Sequence, residues 1–203
     1  QTLQNQADSQ RILIHDIRSH IQVVKSLVDD GQIEKISEYL GQMDNSIRLI
    51  PKARICNEPV LNALLLRFVE DCKKEGVVFS CDIRDNCIGF MDATSVTALF
   101  GNLLSNALEA AAKSHNREIE LWVKRSEEQR TVVISVNNSC DTTPEHDSEG
   151  MYITHKEDRR RHGIGLKSIQ RIVQKYCGVS TAQYVEEQRE FHHIIHIPMR
   201  RKD

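Results

Sequence analysis

The chain lacks any run of about 18 apolar residues, so no transmembrane helix is expected in it. It has no secretory signal pattern. It opens on Gln1 without an initiator Met, which reads as a fragment of a longer protein. A basic surplus is missing too. Lys and Arg number 27 against 29 Asp and Glu, a net charge of −2, which gives nucleic-acid binding no support. The six cysteines, at 56, 72, 81, 87, 140 and 177, include no CxxC pair and match no common zinc framework. Thiols within apolar runs behave as small hydrophobes, and a reduced cytoplasmic compartment is the simpler reading. There is no internal repeat and no low-complexity segment.

What is present is periodicity. Over residues 5–29, Leu13, Ile17, Ile21 (or Val24) and Val28 recur at helical spacing, and Asp29-Asp30-Gly31 breaks the pattern. A second helix is expected over 32–50, apolar at Ile33, Ile36, Leu40, Met43, Ile47 and Ile50, with Pro51 as its stop. Two helices joined by a short turn bury too little to stand alone. A homodimer pairing two such hairpins into a four-helix bundle would supply the missing core. Pro51 to Pro59 reads as a linker. Beyond it the spacing predicts a helix over 59–75, a strand over 77–83, a helix over 94–113 and a strand hairpin over 119–125 and 131–136. A polar loop over 138–162, a helix over 164–177 and strands over 180–186 and 191–197 complete the order. That order predicts an α+β chain in which helices form a layer on one mixed sheet.

Three segments carry chemistry. His15, Ser19, Gln22 and Ser26 share one polar helix face, away from the apolar seam. A lone histidine on a helix is usually just solvated, yet His15 is followed by Asp16, which can hold one ring nitrogen and leave the other nucleophilic. Arg18 can neutralise phosphate charge; His20 is a rival, but an isoleucine follows it. In the 94–113 helix, Asn102, Asn106, Glu109 and Lys113 form a stripe separate from the apolar face. Asparagine is a poor helix former, so two on one face point to work for their side chains. An amide oxygen from Asn106, with Asn102 beside it, suits Mg²⁺ held by ATP phosphates. Gly163-Ile164-Gly165-Leu166 opens the next helix, where glycine lets the backbone approach an anion and helix amides favour phosphate. Asn138, after the strand ending at Val136, can read an adenine edge. Lys156 and Arg159-Arg160-Arg161 put cations in the long loop, which reads as a lid. Each segment has a plainer reading as a solvated stripe, a turn or a charge run; their order is what joins them.

Together these segments resemble sensor histidine kinases, in particular the quorum-sensing and sporulation-sensor subgroup with a GHKL (Bergerat-fold) ATPase domain. His15-Asp16-Ile17-Arg18-Ser19-His20 is similar to the phosphoacceptor box. Asn102 to Ala111 resembles the N box, Asn138-Ser139 a shortened nucleotide box, Thr154-His155-Lys156 the lid motif and Gly163 to Leu166 the second glycine box. The resemblance implies a phosphoacceptor hairpin over 1–51 and an ATP-binding α/β two-layer sandwich over 52–203. It implies His15 as the phosphoacceptor with Asp16 as base or orienting group. Asn106 would hold Mg²⁺, with Asn102 beside it. Asn138 would touch adenine, while Lys156, Gly163, Ile164, Gly165 and Leu166 would hold the phosphates. Phosphoryl transfer to an Asp of a response regulator receiver domain would follow, with any membrane attachment through segments absent from this chain. Asn102 stands where hydrolysing relatives carry Glu, which favours transfer to histidine over an ATPase. Ser19 and Asn138 depart from the commoner residues. The second of these motivates the alternative of a non-catalytic phosphotransferase or scaffold with a decayed nucleotide site.

Overall fold

The structure, a computed structural model, describes residues 2–43, 54–126, 130–144 and 164–199. The chain divides into two compact units, Gln1–Pro51 and Lys52–Asp203.

The first unit holds helices α1 (Thr2–Asp29) and α2 (Ile33–Met43). Gly31, at φ 67°, takes the left-handed conformation that the turn between them needs. A hydrogen bond of 2.8 Å joins His20 Nδ1 to the Tyr39 hydroxyl across the pair. Residues 44–50 of the expected second helix lie outside the described residues.

The second unit runs α3 (Pro59–Glu75), β1 (Val78–Ile83), α4 (Ala93–Ala111), β2 (Glu118–Ser126), β3 (Thr131–Ser139), α5 (Ile164–Lys175), β4 (Val179–Val185) and β5 (Glu190–Pro198). Pro59 starts α3 where its missing N–H costs nothing, and Gly76 (φ 66°) ends it. The five strands form one sheet in the order β1-β2-β3-β5-β4. β1 pairs with β2 in parallel and every other pair is antiparallel. The parallel pair needs a crossover, which α4 provides. α4 packs on β2 and β3, between α3 against β1 and α5 against β4.

The core lies between the two layers. Leu61, Leu65, Phe68 and Cys72 face it from α3, Leu99, Phe100, Leu103 and Leu104 from α4, and Ile169, Ile172 and Val173 from α5. Leu121, Val123, Ile134, Ile195 and Ile197 meet them from the sheet. All six cysteines are free thiols, and Cys56, Cys72 and Cys87 are buried as small apolar side chains.

Some boundaries differ from those the periodicity predicts. The 94–113 helix ends at Ala111, which leaves Lys113 in the turn after it. The last helix stops at Lys175. The larger correction concerns Asn137, Asn138 and Ser139, read from sequence as lying past a strand end at Val136. β3 continues to Ser139, because Ile119 and Phe191 on its two neighbours keep pairing with Asn138. Polar side chains masked a strand whose backbone ladder was unbroken.

Candidate functional site

His15 stands on α1 with a highly exposed side chain. Asp16 Oδ1 lies 3.4 Å from its Nδ1, a long contact, and the Ser19 hydroxyl donates to the His15 carbonyl at 3.1 Å. The polar row of His15, Ser19 and Gln22 lies opposite a row of Ile14, Ile17, Ile21 and Val28, whose side chains are 48–60% exposed within the single chain.

In the second unit, α4 and α5 bring two of the expected segments together. Asn102 Nδ2 donates to the Ala98 carbonyl at 2.6 Å. A carbonyl only accepts, so the amide orientation is set and Oδ1 turns outward. It turns toward Gly165: a Cβ built there would sit 3.1 Å from Asn102 Oδ1 and 3.7 Å from Asn106 Oδ1. Gly165 is thus the residue whose missing side chain lets the α5 N-terminus approach the Asn102 amide so closely, with Asn106 next to it. Asn106 carries no hydrogen bond among the described residues and lines a cavity, so its amide oxygen is free to meet a hard cation. The donor set fits Mg²⁺, a cation that takes few protein ligands and keeps water and phosphate oxygens. Lys113, beyond the helix end, still reaches Glu109 at 3.4 Å.

The cavity measures about 400 Å³, within the range of small-molecule sites. α4 contributes Leu103, Asn106 and Ala107; α5 contributes Leu166 and Ile169; the segment from Cys140 to Pro144 closes one side. Its floor is the inner face of the sheet, and strand register decides who stands there. Asn138 is paired with Phe191, Val136 with His193, and His193 with Ala182. All five line the cavity, as does Ser180. Asn138 is 5% exposed and its Nδ2 donates to the Ser139 carbonyl at 3.0 Å, which leaves Oδ1 as an acceptor. His193 is 8% exposed, with Nε2 2.7 Å from the Ser180 hydroxyl. Burial pushes its imidazole down to about 4, so the ring is neutral near pH 7.

Away from the cavity, Asp92 caps α4 by accepting from the Ser95 amide at 2.9 Å. It also receives Lys175 Nζ at 2.6 Å and the Tyr176 hydroxyl at 2.7 Å from the end of α5. The Lys175 hydrogen bond, followed by those from Thr94, Ser95 and Tyr176, holds the carboxyl well below the usual carboxylate range. This clamp ties the two helices that carry the amides and the glycine.

The structure therefore joins Asn102, Asn106, Gly165 and Leu166, with Asn138 at the cavity floor. The backbone of Ile164 begins α5. Lys156, Gly163, the Thr154-His155-Lys156 motif and Arg159-Arg160-Arg161 lie outside the described residues. Sequence reasoning missed His193, Ser180, Ala182 and Phe191. One signal was available: His193 alternates with Ile195 and Ile197, so it shares their inward face.

Comparison with known proteins gives a match to the GHKL domain family over residues 91–198. The sensor histidine kinase DpiB of Escherichia coli (strain K12) is 34% identical over 99 residues, which is 46% of this chain and 18% of the length of that relative. Among solved structures, the catalytic domain of histidine kinase ThkA aligns with TM-score 0.51 at 19% identity, over 69% of this chain and 91% of that one. The histidine kinase domain of the blue-light activated kinase EL346 of Erythrobacter litoralis aligns with TM-score 0.51 at 14% identity, over 79% and 69%. At such identities the two structures speak to the fold alone. Asn102, Asn106, Asn138, Lys156 and Gly163 to Leu166 fall inside the family match, and His15 and Asp16 fall before it.

Proposed function

The chain belongs to the GHKL domain family, and from that premise we propose that it is the catalytic part of a two-component sensor histidine kinase. Residues 52–203 bind ATP with Mg²⁺, and the γ-phosphoryl group passes to His15 in 1–51. The observation that carries this reading is the meeting of Asn102, Asn106 and Gly165 beside the cavity that Asn138 lines. Similarity to DpiB supports the kinase assignment over other uses of the fold.

Asn106 would hold Mg²⁺ through its amide oxygen, with Asn102 next to it, and the cation would supply positive charge to the phosphates, lowering the barrier to attack. The backbone of Gly165 and Leu166 at the start of α5 faces the phosphates, as helix N-termini do; Gly163, Ile164 and Lys156 complete that grip. Asn138 Oδ1 accepts from the adenine amino group. Asp16 accepts from His15 Nδ1–H, which leaves the Nε2 lone pair as nucleophile. A phosphorus–nitrogen bond forms at Nε2 while the bond from the γ-phosphorus to the bridging oxygen breaks. ADP leaves with that electron pair. The phosphoryl group then moves to an Asp of a response regulator receiver domain. Asn102, in place of an acid, provides no base to activate water, which protects the γ-phosphate from hydrolysis. The exposed apolar row of Ile14, Ile17, Ile21 and Val28 supports a homodimer through the hairpins. In this reading the kinase works on the cytoplasmic side of a membrane.

Incubation with γ-labelled ATP tests the assignment. The parent chain takes up acid-labile, base-stable label, and His15→Gln takes up none. A His15→Gln variant that labels as well as the parent overturns the choice of acceptor. An Asn106→Ala variant is expected to label at least a hundredfold more slowly, as loss of a metal ligand predicts. A parent chain that binds no Mg²⁺-ATP at millimolar concentration favours the scaffold reading instead.

A further inference from the structure

The floor of the cavity holds a polar pair that the proposed kinase chemistry leaves unused. His193 and Ser180 lie on neighbouring strands among apolar side chains, and their hydrogen bond of 2.7 Å occupies His193 Nε2 and the Ser180 hydroxyl. A buried ring nitrogen with no partner is costly. Among the described residues the only side-chain nitrogen or oxygen both sealed from solvent and unpartnered is Thr131 Oγ1. His193 Nδ1 therefore opens onto the cavity that the residue lines. Val136, Ala182, Phe191 and Ile169 line the same cavity.

Asn138 stands diagonal to His193 on the same face, since Val136 is the residue opposite His193 and Asn138 follows two positions later. Diagonal pairs in a sheet lie roughly 7–8 Å apart at their Cα atoms, a gap one purine edge can span. Asn138 offers Oδ1 as an acceptor there, one of its Nδ2 hydrogens being held by the Ser139 carbonyl. A donor at His193 would complete an acceptor–donor pair. Adenine presents the complement, an amino donor beside a ring-nitrogen acceptor at N7 or N1. Guanine carries the O6 acceptor where adenine carries its amino donor, so it lacks the donor that Asn138 Oδ1 would accept from.

We infer that His193 is a second base-reading residue of the nucleotide cavity, donating from Nδ1–H to an adenine ring nitrogen, with Ser180 as the positioning residue that donates to Nε2 and so sets the tautomer. This rests on the nucleotide reading above and assigns its base specificity. Adenine selectivity then lies in two strands, β3 and β5, and the shortened nucleotide box is compensated from the opposite side.

The experiment measures binding of Mg²⁺-ATP, Mg²⁺-GTP, 7-deaza-ATP and 1-deaza-ATP to the full chain by calorimetry. The proteins are the parent, His193→Phe, Ser180→Ala and Ser180→Thr, each checked for thermal unfolding. The parent is expected to bind one deaza analogue about tenfold more weakly than ATP, the loss of one neutral hydrogen bond. His193→Phe binds ATP about tenfold more weakly and no longer distinguishes that analogue from ATP. Ser180→Ala narrows the discrimination between ATP and that analogue in the same direction, and Ser180→Thr restores it. A parent that binds ATP and both deaza analogues alike overturns the inference, even if no variant folds. So does a His193→Phe variant that keeps the discrimination. A parent that binds no nucleotide overturns the nucleotide reading and this inference with it.

Discussion

His193 sits neutral in the cavity floor, with its imidazole pushed by burial from an ordinary 6.5 to about 4. The unfolded chain takes up this proton first as pH falls, so stability drops between those two values and levels off below them. A depression of that size corresponds to about 3 kcal/mol when fully expressed. Urea unfolding of the parent at pH 7 and pH 5 should show this fall, and His193→Phe should show a smaller one. Asp92 acts in a different window. Its carboxyl is held low by Lys175 first of all, so the stability it lends is complete above the ordinary carboxylate value of 3.8 and goes as pH falls below it. Asp92→Asn should lower the Tm at pH 7 and blunt the loss below about pH 4. At Gly165 the test is one of space. A Cβ 3.1 Å from Asn102 Oδ1 makes that amide or the α5 N-terminus give by a few tenths of an ångström. Gly165→Ala should keep the Tm within a few degrees yet weaken Mg²⁺-ATP binding roughly tenfold, read by titration. Unchanged affinity would remove that glycine from the site.

At the scale of elements, what matters is how α4 and α5 are held at a fixed separation. The Asp92 clamp joins the start of α4 to the end of α5, so the two helices run with Asn102, Asn106 and Gly165 facing one another. α5 then turns into β4 through Gly178, where a Cβ would lie 2.7 Å from the His196 carbonyl. Backbone cannot yield as a side chain does, so Gly178→Ala should cost about 1–3 kcal/mol, measured by chemical denaturation. Most of these elements are legible in the sequence. Of the apolar set the 3.6-residue period gives α4, Val96, Leu99, Phe100, Leu103, Leu104, Ala107 and Ala111 are buried and Leu108 is half-buried. The end of β3 was not legible, because Asn137, Asn138 and Ser139 carry turn-forming side chains while their backbones pair on both sides. The clamp was hidden for a different reason: its partners lie more than 80 residues apart.

At the scale of the whole molecule, the buried apolar side chains among the described residues all lie in the second unit, from Cys56 to Ile197. A chain cut to residues 52–203 should therefore fold and bind Mg²⁺-ATP like the parent. It should also run as a monomer in light scattering while the full chain runs as a dimer; a monomeric full chain would remove the proposed role of the hairpins. The sequence by itself determined the order of elements, the inward faces of the helices and the amide and glycine segments, because periodicity and helix caps are local properties of the chain. Only the tertiary structure decided which of them share a cavity. Gly165 meets Asn102 because α4 and α5 pack side by side, and His193 enters the floor because β5 lies between β3 and β4. Those neighbours are set by non-local strand pairing and register, where a slip of one residue would turn His193 to the other face of the sheet.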